Sequence, residues 1–182
     1  MKRYELTKEQ WERVKAVLPP ERTGKRGRPR KDDRKMLNGV LWIARSGAQW
    51  RELPEAYGPW QSVYARFAKW RDDGTLEVIF HALSADADME NLSLDSTCIK
   101  VHESANGGEK TANKAVGRTR GGLNIKLHAI VDGLGNKERH LVECFFQKLK
   151  WFRRIATRSD KLDASFLAFV YLAAIAILLI YL

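Results

Sequence analysis

The stretch Asn124-Ile125-Lys126-Leu127-His128-Ala129-Ile130-Val131-Asp132 decides the fold class. Ile125, Leu127, Ala129 and Val131 fall on every second position. Successive side chains of a strand point to opposite faces, so this period of two predicts a β-strand over 124–132 with one continuous apolar face. Upstream, Leu92 to Val101 is also β-like, with Ile99 and Val101 alternating against Lys100. Between the two lie residues 103–122, with five glycines and several Lys and Arg, which read as a flexible loop. Downstream, Gly133-Leu134-Gly135-Asn136 reads as a turn. From Lys137 to the end the apolar period is helical.

The first 83 residues carry no such alternation and read as short amphipathic helices. Thr7-Lys8-Glu9-Gln10 has the form of a capping box, and Trp11, Val14 and Leu18 follow at helical spacing, so residues 8–17 form a first helix ended by Pro19-Pro20. Asp32 or Asp33 caps a second helix carrying Met36, Leu37, Val40, Leu41 and Ala44. Pro59 opens a third, with Trp60, Val63, Tyr64 and Phe67 as its apolar face and Gln61, Ser62, Arg66 and Lys69 as its polar face. Asp73-Gly74 stops it, and Thr75 starts a fourth with Leu76, Ile79, Phe80 and Leu83. The chain therefore divides into a helical domain at 1–83, a polar linker at 84–91 and a strand-bearing domain at 92–182. The fold class is α+β.

The chain has 182 residues, with 32 Lys+Arg against 22 Asp+Glu, a formal charge of +10. A surplus of that size favours a polyanionic partner, nucleic acid or an acidic membrane. It is concentrated at the start, where residues 1–35 hold 13 basic and 6 acidic residues. Two cysteines, Cys98 and Cys144, exclude a disulfide scaffold and suit a reducing compartment. Met1-Lys2-Arg3-Tyr4 leads into a polar segment, so no secretory signal is expected.

Several constellations could carry chemistry, and each has a plainer alternative. The helices with a bend at Ser46-Gly47 suit a helix-turn-helix module with residues 59–72 as recognition helix, or a plain bundle. Arg26-Gly27-Arg28-Pro29-Arg30 suits an A·T-rich minor groove, because glycine lets the backbone approach and the arginines follow the negative potential. Asp95 sits inside an apolar strand, which is costly unless it is paired, hydrogen-bonded or bound to metal. Arg139, Glu143, Gln147 and Lys150 fall on one narrow helical stripe. That stripe is either a surface Arg–Glu pair or a metal-binding carboxylate flanked by phosphate-binding cations. His81, His102, His128 and His140 form no zinc motif, and there is no Walker loop, GxSxG or HExxH. Ser165 to Leu182 carries no charge and is long enough to span a bilayer or to close a core.

The segments LTKEQWERVKAVLPP, RGRPRKDD, GPWQSVYARFAKWRDDG, LDSTCIKVHESANGG, GRTRGGLNIKLHAIVDGLGN and RHLVECFFQKLKWFRRIATRSDKLDASFLAFVYLAAIAILL together cover nearly the whole chain. In them the chain resembles bacterial DDE-type insertion-sequence transposases of the group named after insertion sequence five. The resemblance implies a helical DNA-binding domain followed by an RNase H-like domain with two catalytic Asp and one Glu. Asp95 in LDST matches the first Asp. Arg139, Glu143 and Lys150 fit a Tyr-Arg-Glu-Lys signature with gaps of two, three and six residues, and Asn136 stands at the tyrosine position.

The second Asp has no counterpart. In the resembled family it lies on a later strand, well before the signature helix. Only ten residues, 133–142, separate Asp132 from Glu143 here. A crossover alone needs roughly ten to twelve residues, so the missing strand does not fit. The simplest reading is an internal deletion between about Gly135 and Lys137, giving a truncated RNase H-like domain. The family chemistry is in-line attack on a DNA phosphodiester with two Mg²⁺ (or Mn²⁺) ions held by carboxylates. Asp95 and Glu143 would be the catalytic and metal-binding residues left, with metal binding impaired. Arg26, Arg28, Arg30, Gln61, Ser62, Arg66, Lys69, Arg139 and Lys150 would meet DNA. The resemblance thus implies a transposase acting on double-stranded DNA at the terminal inverted repeats of its element. It implies a cytoplasmic, nucleoid-associated protein, able to form a homo-oligomer; Ser165, Tyr171 and four alanines in 165–182 disfavour a membrane, and the missing second Asp makes this copy catalytically defective. The alternative is a non-cutting DNA-binding protein that competes with full-length transposase.

Overall fold

The computed structural model describes residues 4–19, 32–85, 92–105, 115–132 and 138–181. Helix α1 (Lys8–Val17) begins in the expected capping box: the Gln10 amide N–H donates to Thr7 Oγ1 at 3.2 Å, and the Thr7 N–H donates to Gln10 Oε1 at 3.0 Å. Helix α2 (Asp33–Ser46) is capped by Asp32, whose carboxylate accepts from the amides of Arg34 and Lys35. Gly47 ends it in the left-handed conformation. Helices α3 (Trp60–Asp72) and α4 (Thr75–Leu83) follow, joined only by Asp73-Gly74.

Two features of this helical region depart from the expected pattern. Residues 47–59, which include two short 3-10 turns, separate α2 from α3, whereas a helix-turn-helix spans that step in about three or four residues. The glycine bend is real, but it leads into a proline-punctuated connection rather than a tight turn. On α3, Trp70 joins Val63 and Phe67 in the core, and Tyr64 is 39% exposed.

A mixed four-stranded sheet follows, in the order β2-β3-β1-β4. Strand β1 (Leu92–Val101) pairs antiparallel with β3 (Gly122–Asp132), from Leu92 opposite Asp132 to Lys100 opposite Asn124. Both strands are where the alternation predicted them. Part of the glycine-rich segment expected as loop is strand β2 (Val116–Thr119), which pairs antiparallel with β3 across a tight turn. Gly122 supplies the positive φ there. The expected turn at 133–136 and most of the expected linker lie outside the described residues.

After β3 comes α5 (Glu138–Lys150), then the short α6 (Arg153–Ala156). The helical period does not run unbroken to the end, because β4 (Thr157–Arg158) pairs parallel with Lys100-Val101 of β1. Buried polar groups explain the interruption. Arg158 is fully buried, its Nε donating to the Asp160 carbonyl at 2.9 Å and its Nη2 lying 2.6 Å from Asp163 Oδ1. A straight helix could not return those carbonyls and carboxylates to the same guanidinium.

Helix α7 (Asp163–Tyr181) is long and apolar enough to cross a membrane, and 61% of its apolar window is buried inside the fold. It packs on α4 and also touches α2, α3, α5 and α6. Tyr171 donates to Glu77 of α4 at 3.1 Å, and Arg71 of α3 donates to Ser165 at 2.8 Å. The C-terminal helix therefore packs among the N-terminal helices, and one apolar cluster runs from Trp11 through Phe67 and Phe169 to Ile99 and Ile125 of the sheet.

Candidate functional site

Asp95 stands on β1 directly opposite Ala129 of β3. Residues opposite each other in an antiparallel pair share a face, so Asp95, Thr97 and Ile99 line up with Ala129, Leu127 and Ile125. Ile99 and Ile125 are buried, and α5 packs against both strands. Asp95 thus lies on the face that α5 covers, at its open end. Its carboxylate is exposed and accepts from the Ser96 amide at 2.6 Å.

Helix α5 buries Val142, Phe146 and Leu149 and exposes Glu143, Gln147 and Lys150. The polar stripe is real for these three; the Arg139 side chain lies outside the described residues. Glu143 sits about 100° round the helix from Val142, on the flank of the buried face. The connectivity sets the helix direction. β3 ends opposite Leu92, and β4 lies beside Lys100 and Val101, so α5 and α6 carry the chain from the start of β1 to its end. Asp95 is the fourth residue of β1, and Glu143 is the sixth of α5. Among the described residues no three of His, Cys, Asp and Glu converge as a metal-holding group.

The second candidate surface is α3. Gln61 and Lys69 are exposed, with Tyr64 and Ala65 between them, whereas Ser62 is half-buried and carries a partner of its own. Arg66 does not share the open face. It forms an ion pair with Asp33 of α2, whose side chain is 1% exposed, and its guanidinium lies 5.8 Å from the Trp70 ring centre. A carboxylate that deeply buried needs a counter-charge, and Arg66 supplies it. The residues that the helical period assigned to the polar face are thus divided between solvent and the α2–α3 contact. Arg26, Arg28 and Arg30 lie outside the described residues.

A third charged group was not anticipated from the sequence. Arg154 makes a two-bond fork with Asp160, at 3.0 and 2.8 Å, and donates to the Ala48 carbonyl at 3.1 Å. With Arg158 and Asp163 it ties α6, β4 and α7 to the end of α2. Its sequence signal is the Arg-Ile-Ala-Thr-Arg-Ser-Asp-Lys-Leu-Asp run, where alternating charge looks like ordinary surface. The group is buried and cementing, whereas Asp95, Glu143, Lys150 and the outer side of α3 are exposed.

Residues 6–80 match a family model described as "Putative transposase of IS4/5 family (DUF4096)". The chain is 38% identical over 118 residues to "Uncharacterized protein y4sN" of Sinorhizobium fredii (strain NBRC 101917 / NGR234), a match spanning 65% of this chain and 94% of that protein. It is 60% identical over 37 residues to "Putative transposase for insertion sequence element IS6501" of Brucella ovis (strain ATCC 25840 / 63/290 / NCTC 10512), spanning 20% of this chain and 28% of that one. No solved structure matches significantly.

Proposed function

The chain belongs to the same family as the rhizobial protein y4sN, and its residues 6–80 match the IS4/5 transposases; on that premise we propose that it is a DDE-type insertion-sequence transposase that binds DNA but has lost strand cleavage. The observation that carries this reading is a coincidence of boundaries. The matched region, 6–80, is the helical region α1–α4, which ends at Leu83 and presents the outer side of α3. Binding is assigned to duplex DNA at the terminal repeats of the element, through Gln61 and Lys69 of α3 and the basic segment with Arg26, Arg28 and Arg30. Lys150 and Arg139 would meet phosphates beside the sheet. The protein would act in the cytoplasm, at the nucleoid, and more than one copy could assemble on paired ends.

The loss of cleavage rests on the donor set. The family chemistry takes three carboxylates for Mg²⁺ or Mn²⁺, and Asp95 and Glu143 are the two that match its motifs. Asp132 follows the wrong strand to replace the third. Two carboxylates leave a two-metal site one ligand short. A chain that occupies repeat ends without cutting them would compete with intact transposase for the same DNA.

The test is binding of the full chain to duplex DNA carrying the repeat ends, followed by fluorescence anisotropy across a salt series. Neutralising phosphates releases counterions, so affinity should fall steeply and linearly on logarithmic axes as salt rises. Affinity that does not change with salt, or no binding at low salt, would sink the proposal.

A further inference from the structure

A cavity of about 520 Å³ opens where the segment before α1, helix α2, helix α7 and the corner between α5 and α6 meet. Small-molecule sites occupy roughly 300–1,000 Å³, so this one is large enough for a nucleotide. Its wall brings together Arg45 of α2 and Trp151 of the corner. Trp151 is 64% exposed, although it is the largest side chain in the cavity wall. Arg45 is half-buried, with its guanidinium carbon 3.9 Å from the centre of the Phe152 ring. No described carboxylate forms an ion pair with it. Burial pulls its pKa below the usual value, with a smaller opposing contribution from Tyr4.

The other polar groups of the wall have work of their own. The Glu5 carboxylate is hydrogen-bonded by the Tyr57 side chain. Thr7 caps α1, and the Gln10 amide donates to the Leu179 carbonyl at 3.1 Å. The wall also presents the half-buried guanidinium of Arg45, held over Phe152, and the exposed indole of Trp151. A guanidinium is suited to a phosphate, and an indole face is suited to any base. We propose that this cavity binds one unpaired nucleotide, its phosphate on Arg45 and its base stacked on Trp151. The proposal rests on the DNA-binding reading and adds a second surface, remote from α3 in function, that takes single-stranded rather than duplex DNA.

The experiment uses the full chain with labelled oligo-dT and, separately, a labelled duplex, with free dTMP as competitor. The expected result is that Trp151→Ala weakens oligo-dT binding about tenfold while duplex binding is unchanged, and that Trp151→Phe restores most of the loss. Arg45→Gln should weaken oligo-dT binding to a similar degree. Competition by dTMP would show that a free nucleotide suffices; its failure, with the mutational losses intact, would assign the site to a nucleotide within a strand. Oligo-dT affinity within twofold of wild type in Trp151→Ala would overturn the proposal, as would no oligo-dT binding at all. Duplex binding that persists in either case leaves the DNA-binding reading standing.

Discussion

Gly47 is required by two independent constraints. Its φ of 71° is left-handed, and a Cβ built there would stand 2.9 Å from the Cβ of Arg153 on α6. The first constraint alone costs an L-residue about 1–2 kcal/mol. The second cannot be relieved by swinging a flexible side-chain end, because the neighbour is itself a Cβ. Gly47→Ala should therefore lower unfolding stability by at least about 2 kcal/mol, read from urea denaturation. A loss below half of that would show that α6 moves aside freely. Tyr57 offers a residue-scale test against pH. Burial, with the nearby Glu5 charge and hydrogen bond, pushes its phenol from 10.0 up to about 12. Above pH 10 the unfolded chain releases this proton while the folded chain keeps it, so the stabilisation is full below about pH 10 and declines as pH rises toward about 12. Tyr57→Phe should flatten that decline in a denaturation series at increasing pH, and an unchanged slope would contradict the assignment. The need for glycine at a bend was legible from Ser46-Gly47. Its contact with Arg153, more than a hundred positions away, had no local trace.

At the scale of elements, α3 separates stability from binding. Arg66 neutralises buried Asp33, whereas Lys69 faces solvent. Removing one partner of a buried pair costs about 3–5 kcal/mol. Arg66→Ala should accordingly cost stability of that order, and Lys69→Ala should leave the melting temperature unchanged while weakening DNA binding. Thermal melts beside anisotropy check both, and an Arg66→Ala protein of full stability with weakened binding would return Arg66 to the DNA face. Helical periodicity assigned Arg66 to the polar side correctly, but periodicity does not distinguish water from a neighbouring helix. The same limit explains α7. Its sequence is apolar all round, so it carries no stripe to say which side is buried, and both a bilayer and a core satisfy it. In the fold its apolar surface packs on α4 and touches α2, α3, α5 and α6. Strands β1 and β3 were fully legible because a period of two has one reading, whereas β2 and β4 are four and two residues long and owe their pairing to tertiary contact.

For the whole molecule, the sheet has one covered face and one open face. Leu94 and Ile130 lie opposite each other on the open side at 69% and 65% exposure, with Cys98, Lys100, Lys126 and His128 along it. The sequence singled out two candidate carboxylates separately, Asp95 by its motif and Glu143 by its stripe. That β1 and α5 carry them, with α5 linking β3 to β4, followed only from the fold. The most direct measurement is incubation of the purified chain with labelled repeat-end duplex and Mg²⁺ or Mn²⁺, resolved on a denaturing gel. The predicted result is DNA that is bound yet uncut, with no difference between the wild-type chain and Asp95→Ala. Metal-dependent nicking by the wild-type chain that Asp95→Ala abolishes would contradict it, and would show that a residue such as Asp132 completes the catalytic set.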